Sequence, residues 1–428
     1  MLHINDDIIK EFLFRGYFGL EKEGLRVTGE GHPAITEHPI IENEHITMDF
    51  SENQTEINTG VYEDASEALR ELDQWERTIH KVLYSQNERE YLWPFSNPPY
   101  LSGNREIPIA QFQDNEADKT DYRLHLSRRY GKYMMTYCGI HVNFSFHPEL
   151  INREYELSDR PESKQEFLNS FYLDLAQKAM RHAWLVVALT AASPIADNSF
   201  IGGEKGIDYF CGLASFRCSE LGYWNHFVPA FNYQSIREYV NSIRFFVESG
   251  LLNSPAELYY PVRLKPKGKN QLDSLEKTGV NHIEFRMFDI NPLSYHGIDK
   301  RDLDFIQLFL VWLASLPSIE LDVKQQVNAV QNFKRAAHFD LDNTMLVEGK
   351  SIASEGIELI TAMEDFYRSF STDSLAILSY EKEKLLNPSA RYAYQVKERF
   401  SQDYVKKGMV HAKKMQNKKL RYEMEFVR

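Results

Sequence analysis

Phe18-Gly-Leu-Glu-Lys-Glu-Gly-Leu-Arg-Val27 is the segment around which the rest of the chain is organised. Glu21 and Glu23 stand two residues apart, and in an extended segment that spacing sends both carboxylates to one face. Two carboxylates held together repel, and one keeps its proton unless a cation lies between them. A solvated surface strand with a Glu-Lys-Glu charge pattern would read the same way. Three later strands that repeat the polar-face design favour the first reading.

Ile46, Met48 and Phe50 alternate with Thr47, Asp49 and Ser51, the period of a half-buried strand over 46–51. The pattern resumes over 55–59, where Ile57 is apolar and Glu56 and Asn58 face the other way. The parity shifts between them, and a bulge or sharp turn lets Asp49 and Glu56 point at one cleft. A strand is predicted over 134–146. Ile140, Val142, Phe144 and Phe146 form one face, and Gly139, His141, Asn143 and Ser145 the other. Over 282–289, Ile283, Phe285 and Met287 oppose Glu284 and Arg286. A strand over 17–27 completes the set.

Helical periodicity occupies other stretches. A short helix is predicted over 8–16. A longer one follows Asp64, whose pairing with Glu67 resembles a capping pair. Residues 163–192 form a long helix stopped by Ser193-Pro194. Further helices are predicted over 302–316, 323–337, 354–371 and 389–422. Residues 101–121 read as a surface loop and 152–162 as a charged linker. Lys406, Lys407, Lys413, Lys414, Lys418, Lys419 and Arg421 make the last helix basic, which reads as a solvated face.

The chain has 428 residues, 43% of them hydrophobic, and a formal net charge of -13. That size supports one large catalytic unit over 1–428 rather than a string of modules. Such acidity argues against nucleic acid or an anionic membrane as partner. Three cysteines without close pairing, Cys138, Cys211 and Cys218, fit a reducing cytoplasm. The N-terminus has neither the basic nor the apolar region of a signal peptide, and the most apolar run, 184–192, is too short to span a bilayer.

The polar strand faces collect Glu21, Glu23, Asp49, Glu56, His141 and Glu284. Hard oxygen ligands select Mg²⁺ or Mn²⁺ over zinc. So many carboxylates exceed the need of one ion, whereas several ions clamping a triphosphate would use them. Arg286, Arg217 and the basic run Arg263, Lys265, Lys267 and Lys269 would then neutralise phosphate and substrate carboxylate. Neither a glycine-rich phosphate loop nor a dinucleotide fingerprint is present, so a nucleotide would be held through metal and side chains.

Six motifs resemble those of bacterial glutamate–cysteine ligases, within the glutamine-synthetase-like carboxylate–amine ligase superfamily. They are Gly19-Leu-Glu-Lys-Glu-Gly-Leu-Arg26, Asp49-Phe-Ser-Glu through Glu56, Trp93-Pro-Phe-Ser96, Gly139-Ile-His-Val-Asn-Phe-Ser145, Ala214-Ser-Phe-Arg-Cys-Ser-Glu-Leu-Gly-Tyr223 and Ile283-Glu-Phe-Arg-Met-Phe-Asp-Ile-Asn-Pro292. The resemblance implies an α+β fold, a curved antiparallel sheet funnel with helices packed outside. It implies a core carrying the active site over 17–316 and a helical region over 317–428. It also implies ATP as co-substrate, γ-glutamyl phosphate as intermediate and cysteine as acceptor, the first step of glutathione biosynthesis.

The resemblance further assigns the five acids and His141 collected above to metal, with Glu284 and Arg286 catalytic. Arg217, Tyr223 and Asn143 would bind substrate, and Arg286, Arg263 and Lys265 would bind ATP. The Pro/Gly/Lys segment over 264–280 is expected to act as a lid. Some relatives carry a second domain that adds glycine. The sequence leaves no room for it after Arg428, so a separate glutathione synthetase is expected downstream. The alternative within the fold is a γ-glutamyl ligase with another amine acceptor.

Overall fold

The computed structural model describes residues 2–40, 43–112, 117–158 and 162–426, with side chains as far as Arg421. Helix α1 (Asp7–Phe12) leads into β1 (Gly16–Thr28). β2 (Ile46–Met48) and β3 (Gln54–Asn58) form a hairpin, followed by α2 (Ala65–Ser85), β4 (Glu90–Leu92), α3 (Ala117–Arg129), β5 (Gly139–Phe146), α4 (Pro148–Leu157) and α5 (Lys164–Thr190). The short strands β6 (Ala196–Asp197) and β7 (Asp208–Tyr209) come next. Helix α6 (Ile236–Glu248), β8 (Val262–Lys265), α7 (Leu272–Thr278) and β9 (His282–Asp289) complete the sheet region. The chain closes with α8 (Lys300–Ser315), α9 (Val323–Ala336), α10 (Ile352–Tyr367), α11 (Thr372–Leu386), α12 (Tyr392–Phe400) and α13 (Tyr404–Phe426).

The main sheet runs β2-β3-β1-β5-β9-β8, every neighbour antiparallel, with β4 paired to the far end of β1. Phe18 and Leu20 of β1, Ile140, Val142 and Phe144 of β5 and Ile283, Phe285 and Met287 of β9 are buried in one core. Helix α5 covers the β8–β9 side of that core and α2 covers β1 and β3. Sequestering one sheet face in this way leaves the other for a cleft. The architecture is mixed helix and antiparallel sheet, and the sheet stays open, with β2 and β8 as its edges.

Several boundaries differ from the sequence reading. Helix α1 stops at Phe12, and β1 begins at Gly16, where any Cβ would collide with the Phe144 ring. The strand expected from residue 134 begins at Gly139, after a single 3₁₀ turn over Met134–Thr136. The expected surface loop over 101–121 is partly core: Leu101, Ile107 and Ile109 pack with Phe50, Tyr137 and Phe216, and α3 starts at Ala117. Its residues 113–116 lie outside the described ones. Most of the expected linker over 152–162 belongs to α4, started by Pro148 with His147 as cap. Its residues 159–161 lie outside the described ones.

The predicted helix over 389–422 is two helices, because Gln402 and Asp403 adopt left-handed backbone between α12 and α13. Helix α11 has no counterpart in the sequence reading. Glu381 and Lys384 sit on its buried side as an ion pair with Asp302 of α8, so polar residues hide the apolar stripe. Lys419 corrects the view of a solvated last helix: it is fully buried. Cys138 and Cys218 are buried and Cys211 exposed, all as free thiols. Among the described residues, no helix is long and apolar enough to cross a membrane.

Candidate active site

Strand register gathers the predicted residues. Glu23 of β1 pairs with Glu56 of β3, and Glu21 with His141 of β5. Asn143 pairs with Glu284 of β9, and Glu284 with Arg263 of β8. With side chains alternating at every step, these residues share the face opposite the core. A register irregularity between Ile140 and Val142 falls at His141.

The contacts are close. His141 Nδ1 donates to Glu21 Oε2 at 3.0 Å, and Asn143 Nδ2 donates to Glu21 Oε1 at 3.0 Å. His141 Nε2 lies 3.7 Å from Glu23 Oε1. Glu23 Oε2 accepts the Gly139 N–H at 2.8 Å. Glu284 Oε1 receives Lys265 Nζ at 3.1 Å and Arg286 Nη1 at 3.2 Å, and Arg263 Nε stands 3.9 Å from its other oxygen. Asp49 lies just past β2, its carbonyl oxygen held by Arg123.

Electrostatics divide this cleft into two halves. At the β3 side the acids crowd one another. Burial and the charge of Asp49 push Glu23 up to about 8, and burial, Asp49 and Glu21 push Glu56 up to about 8. At the β8 side cations prevail. Burial opposes the charge of Glu284, but Lys265, Arg286 and Arg263 hold its carboxyl well below the usual range. Burial also opposes the charge of Glu21, yet the His141 hydrogen bond keeps that carboxyl at about 2. His141 itself is lowered by burial and then by Arg286. A neutral imidazole donating from Nδ1 satisfies both shifts and leaves the Nε2 lone pair toward Glu23.

These residues fit a hard divalent cation. Ligand atoms of Glu21, His141 and Glu284 all lie within 4.8 Å of one another. Glu284 Oε2 is buried without a hydrogen-bond partner. The raised acids Glu23 and Glu56 are relieved by a positive charge between them.

Arg217 sits beneath the end of β9. It donates through Nη2 to the Arg286 carbonyl at 2.9 Å and through Nη1 to the Phe288 carbonyl at 3.2 Å. Gly139 makes room for it, since a Cβ there would collide with the guanidinium. Arg217, Tyr223, Tyr259 and Arg286 line one small cavity. On the other side a cleft of about 600 Å³ opens beside Glu21 and Asn143, walled by Tyr17, Phe146, Tyr172, Lys267 and His282. The sequence reading missed this cleft: its aromatic walls come from separate elements, Tyr17 from β1, Phe146 from β5 and Tyr172 from α5.

An antiparallel sheet whose polar face joins crowded carboxylates to a cluster of guanidinium and ammonium groups suits divalent cations beside a polyanionic ligand. Residues 2–251 and 246–336 match the family model described as glutamate-cysteine ligase, and the chain belongs to that family. It is 37% identical over 418 residues to a glutathione biosynthesis bifunctional protein of Listeria monocytogenes, covering 93% of this chain and 54% of the relative. A protein of the same name from Clostridium perfringens is 32% identical over 408 residues, covering 90% and 52%. The chain thus spans about half the length of these curated relatives.

Among solved structures, a bifunctional glutathione synthetase from Pasteurella multocida superposes with a TM-score of 0.84 at 26% identity, covering 97% of this chain and 54% of that one. A glutamate–cysteine ligase from Francisella tularensis in complex with AMP gives 0.83 at 24% identity, covering 95% and 89%, and shows the shared fold.

Proposed function

We propose that this chain is an ATP-dependent ligase that joins the γ-carboxylate of L-glutamate to the amine of L-cysteine, the first step of glutathione biosynthesis. The observation that carries the reading is the division of one cleft into an acidic half and a cationic half that meet at Glu284. A nucleotide triphosphate needs metal on one side and fixed positive charge on the other.

Glu21, Glu23, Asp49, Glu56, His141 and Glu284 would hold Mg²⁺ or Mn²⁺, which when bound supplies neutralisation of triphosphate charge. Lys265, Arg263 and Arg286 face the phosphates. The aromatic cleft beside Glu21 takes the nucleoside, under the lid over 264–280. Arg217, Tyr223 and Asn143 orient the amino acids. A γ-carboxylate oxygen of glutamate attacks the γ-phosphorus and ADP leaves. The cysteine amine then attacks the acyl carbon, loses a proton, and phosphate leaves. Arg286 stabilises the transferring phosphoryl charge, and burial keeps the acyl phosphate from water.

In this reading the sheet curves into a funnel with helices packed outside. Residues 1–428 act as a single catalytic unit in the cytoplasm, with residues 17–316 carrying the site and 317–428 buttressing it. Its partners are small molecules rather than nucleic acid or membrane. Glycine addition falls to a glutathione synthetase acting downstream. The family match supports cysteine as acceptor ahead of another amine.

The test is phosphate release from ATP with glutamate and a panel of amines, with the mass of the product recorded. Release that needs both glutamate and cysteine, with γ-glutamylcysteine as product, is expected. A different preferred amine would move the chain to the other γ-glutamyl ligases. Release without glutamate would overturn the reading.

A further inference from the structure

Lys22 lies between Glu21 and Glu23 on β1, and its side chain leaves the sheet on the opposite face. There its ammonium meets Glu76 of α2 and donates to the His296 carbonyl at 2.8 Å. Glu76 is shared: Lys419 of α13 binds its Oε2 at 2.5 Å and Asp73 Oδ1 at 2.6 Å. Glu76 is 4% exposed and Lys419 1%. Asp73, Glu76 and His296 converge as a metal site would, but two ammoniums already fill the space. Gly297 is fitted to this arrangement, since a Cβ there would lie 2.8 Å from Lys22 Nζ.

The cluster joins three parts of the molecule that the cleft needs in fixed relation. Lys22 ties β1 to the loop that follows β9, the strand of Glu284 and Arg286. Lys419 ties α13 to the same acid. Further contacts lay α13 along this edge: Gln416 donates to the Glu90 carbonyl at 2.9 Å and Lys413 to the Gly29 carbonyl at 2.9 Å. Helix α13 lies beyond the stretch that matches the family model.

The Glu-Lys-Glu alternation gains a physical meaning here. A slip of one residue in β1 would turn Lys22 into the acidic cleft and turn Glu21 and Glu23 toward Asp73 and Glu76, four carboxylates together. Buried ion pairs are best attested as devices that fix register in this way.

We propose that Lys22 and Lys419 are positioning residues for Glu21 and Glu23, an ionic clasp through Glu76 that makes the C-terminal helix part of the active site. The proposal rests on reading Glu21 and Glu23 as metal ligands.

The test uses the full chain and Mn²⁺ alone, with binding followed by electron paramagnetic resonance and folding followed by Tm. Lys419→Met is expected to bind Mn²⁺ about tenfold more weakly at temperatures where it remains folded. Lys419→Arg is expected to recover most of the loss. Lys22→Met should weaken binding at least as much, and the double variant no more than Lys22→Met, because both act through Glu76. Should Lys22→Met fail to fold, the two Lys419 variants still decide the matter. Should Lys419→Met fail as well, Glu76→Gln/Lys419→Met removes one charge of each sign and is expected to bind Mn²⁺ with the same weakening. A lowered Tm with unchanged Mn²⁺ binding would overturn the clasp. Wild-type protein that binds no Mn²⁺ would overturn the ligand assignment itself and the clasp with it.

Discussion

Glu23 and Glu56 are register partners on adjacent antiparallel strands, and both carboxyls are pushed up to about 8 by burial and by Asp49. Like charges directly opposite one another destabilise a strand pair. Glu23→Gln removes that repulsion, so metal-free protein should melt no lower than wild type. If Glu23 holds metal as proposed, turnover should fall at least about 100-fold with the loss of that charge. A melting series with and without Mg²⁺ checks both: wild type should gain stability on adding Mg²⁺, and the variant should gain less.

Glu284 is paired with Lys265, Arg263 and Arg286 together. Glu284→Gln takes the carboxylate they share from buried Lys265 and half-buried Arg263 and Arg286. Breaking a buried pair from one side costs about 3 kcal/mol. The variant should therefore lose turnover by orders of magnitude and also unfold at lower denaturant. Denaturation with phosphate release measured on the same preparation separates the two effects. Normal turnover would remove Glu284 from the site.

Gly139→Ala places a methyl group against the Arg217 guanidinium. The guanidinium must move, while the rest of β5 keeps its ladder. A displacement near 1 Å costs catalysis on the order of 100-fold. If Arg217 binds an amino-acid substrate as proposed, steady-state kinetics should show kcat/KM for that amino acid falling by about that factor. Loss of thermal stability alone would mark Arg217 as structural.

Burial opposes the charge of Glu76, but Lys22 and Lys419 hold its carboxyl at about 2. The folded value lies below the ordinary glutamate value of 4.5, so the stabilisation is fully present above that pH. It is lost as pH falls from there toward 2. Denaturant titrations between pH 5 and 2.5 should show a shallower acid limb in Glu76→Gln than in wild type.

Lys267 is exposed on the segment after β8 and lines the aromatic cleft. If that segment closes over a bound nucleotide, trypsin should cut at Lys267 more slowly with ATP and Mg²⁺ present. Cleavage at the same rate with and without nucleotide would remove the lid.

Alternation over β1, β3, β5 and β9 was enough to name Glu21, Glu23, Glu56, His141, Asn143, Glu284 and Arg286, because a period of two assigns each side chain to a face whatever lies above it. Sequence also marked Arg263 and Lys265 as part of a basic run and Arg217 as a carboxylate anchor, and the resemblance of its motif added Tyr223. Local pattern carries no information on which strands become neighbours. The order β2-β3-β1-β5-β9-β8 came from tertiary packing, and with it the pairing of Glu23 with Glu56 and of Glu284 with Arg263.

The same limit explains Lys419 and Glu381. A charged residue on an amphipathic helix reads as solvated, and only a partner brought from far along the chain makes its burial favourable: Glu76 for Lys419, and Asp302 for the Lys384 that pairs with Glu381. Residue order by itself settled which side chains share a strand face. The division of the cleft into acidic and cationic halves, and the link from the last helix to the first strand, required long-range contacts, because charges separated by hundreds of residues interact only once the fold places them a few ångströms apart.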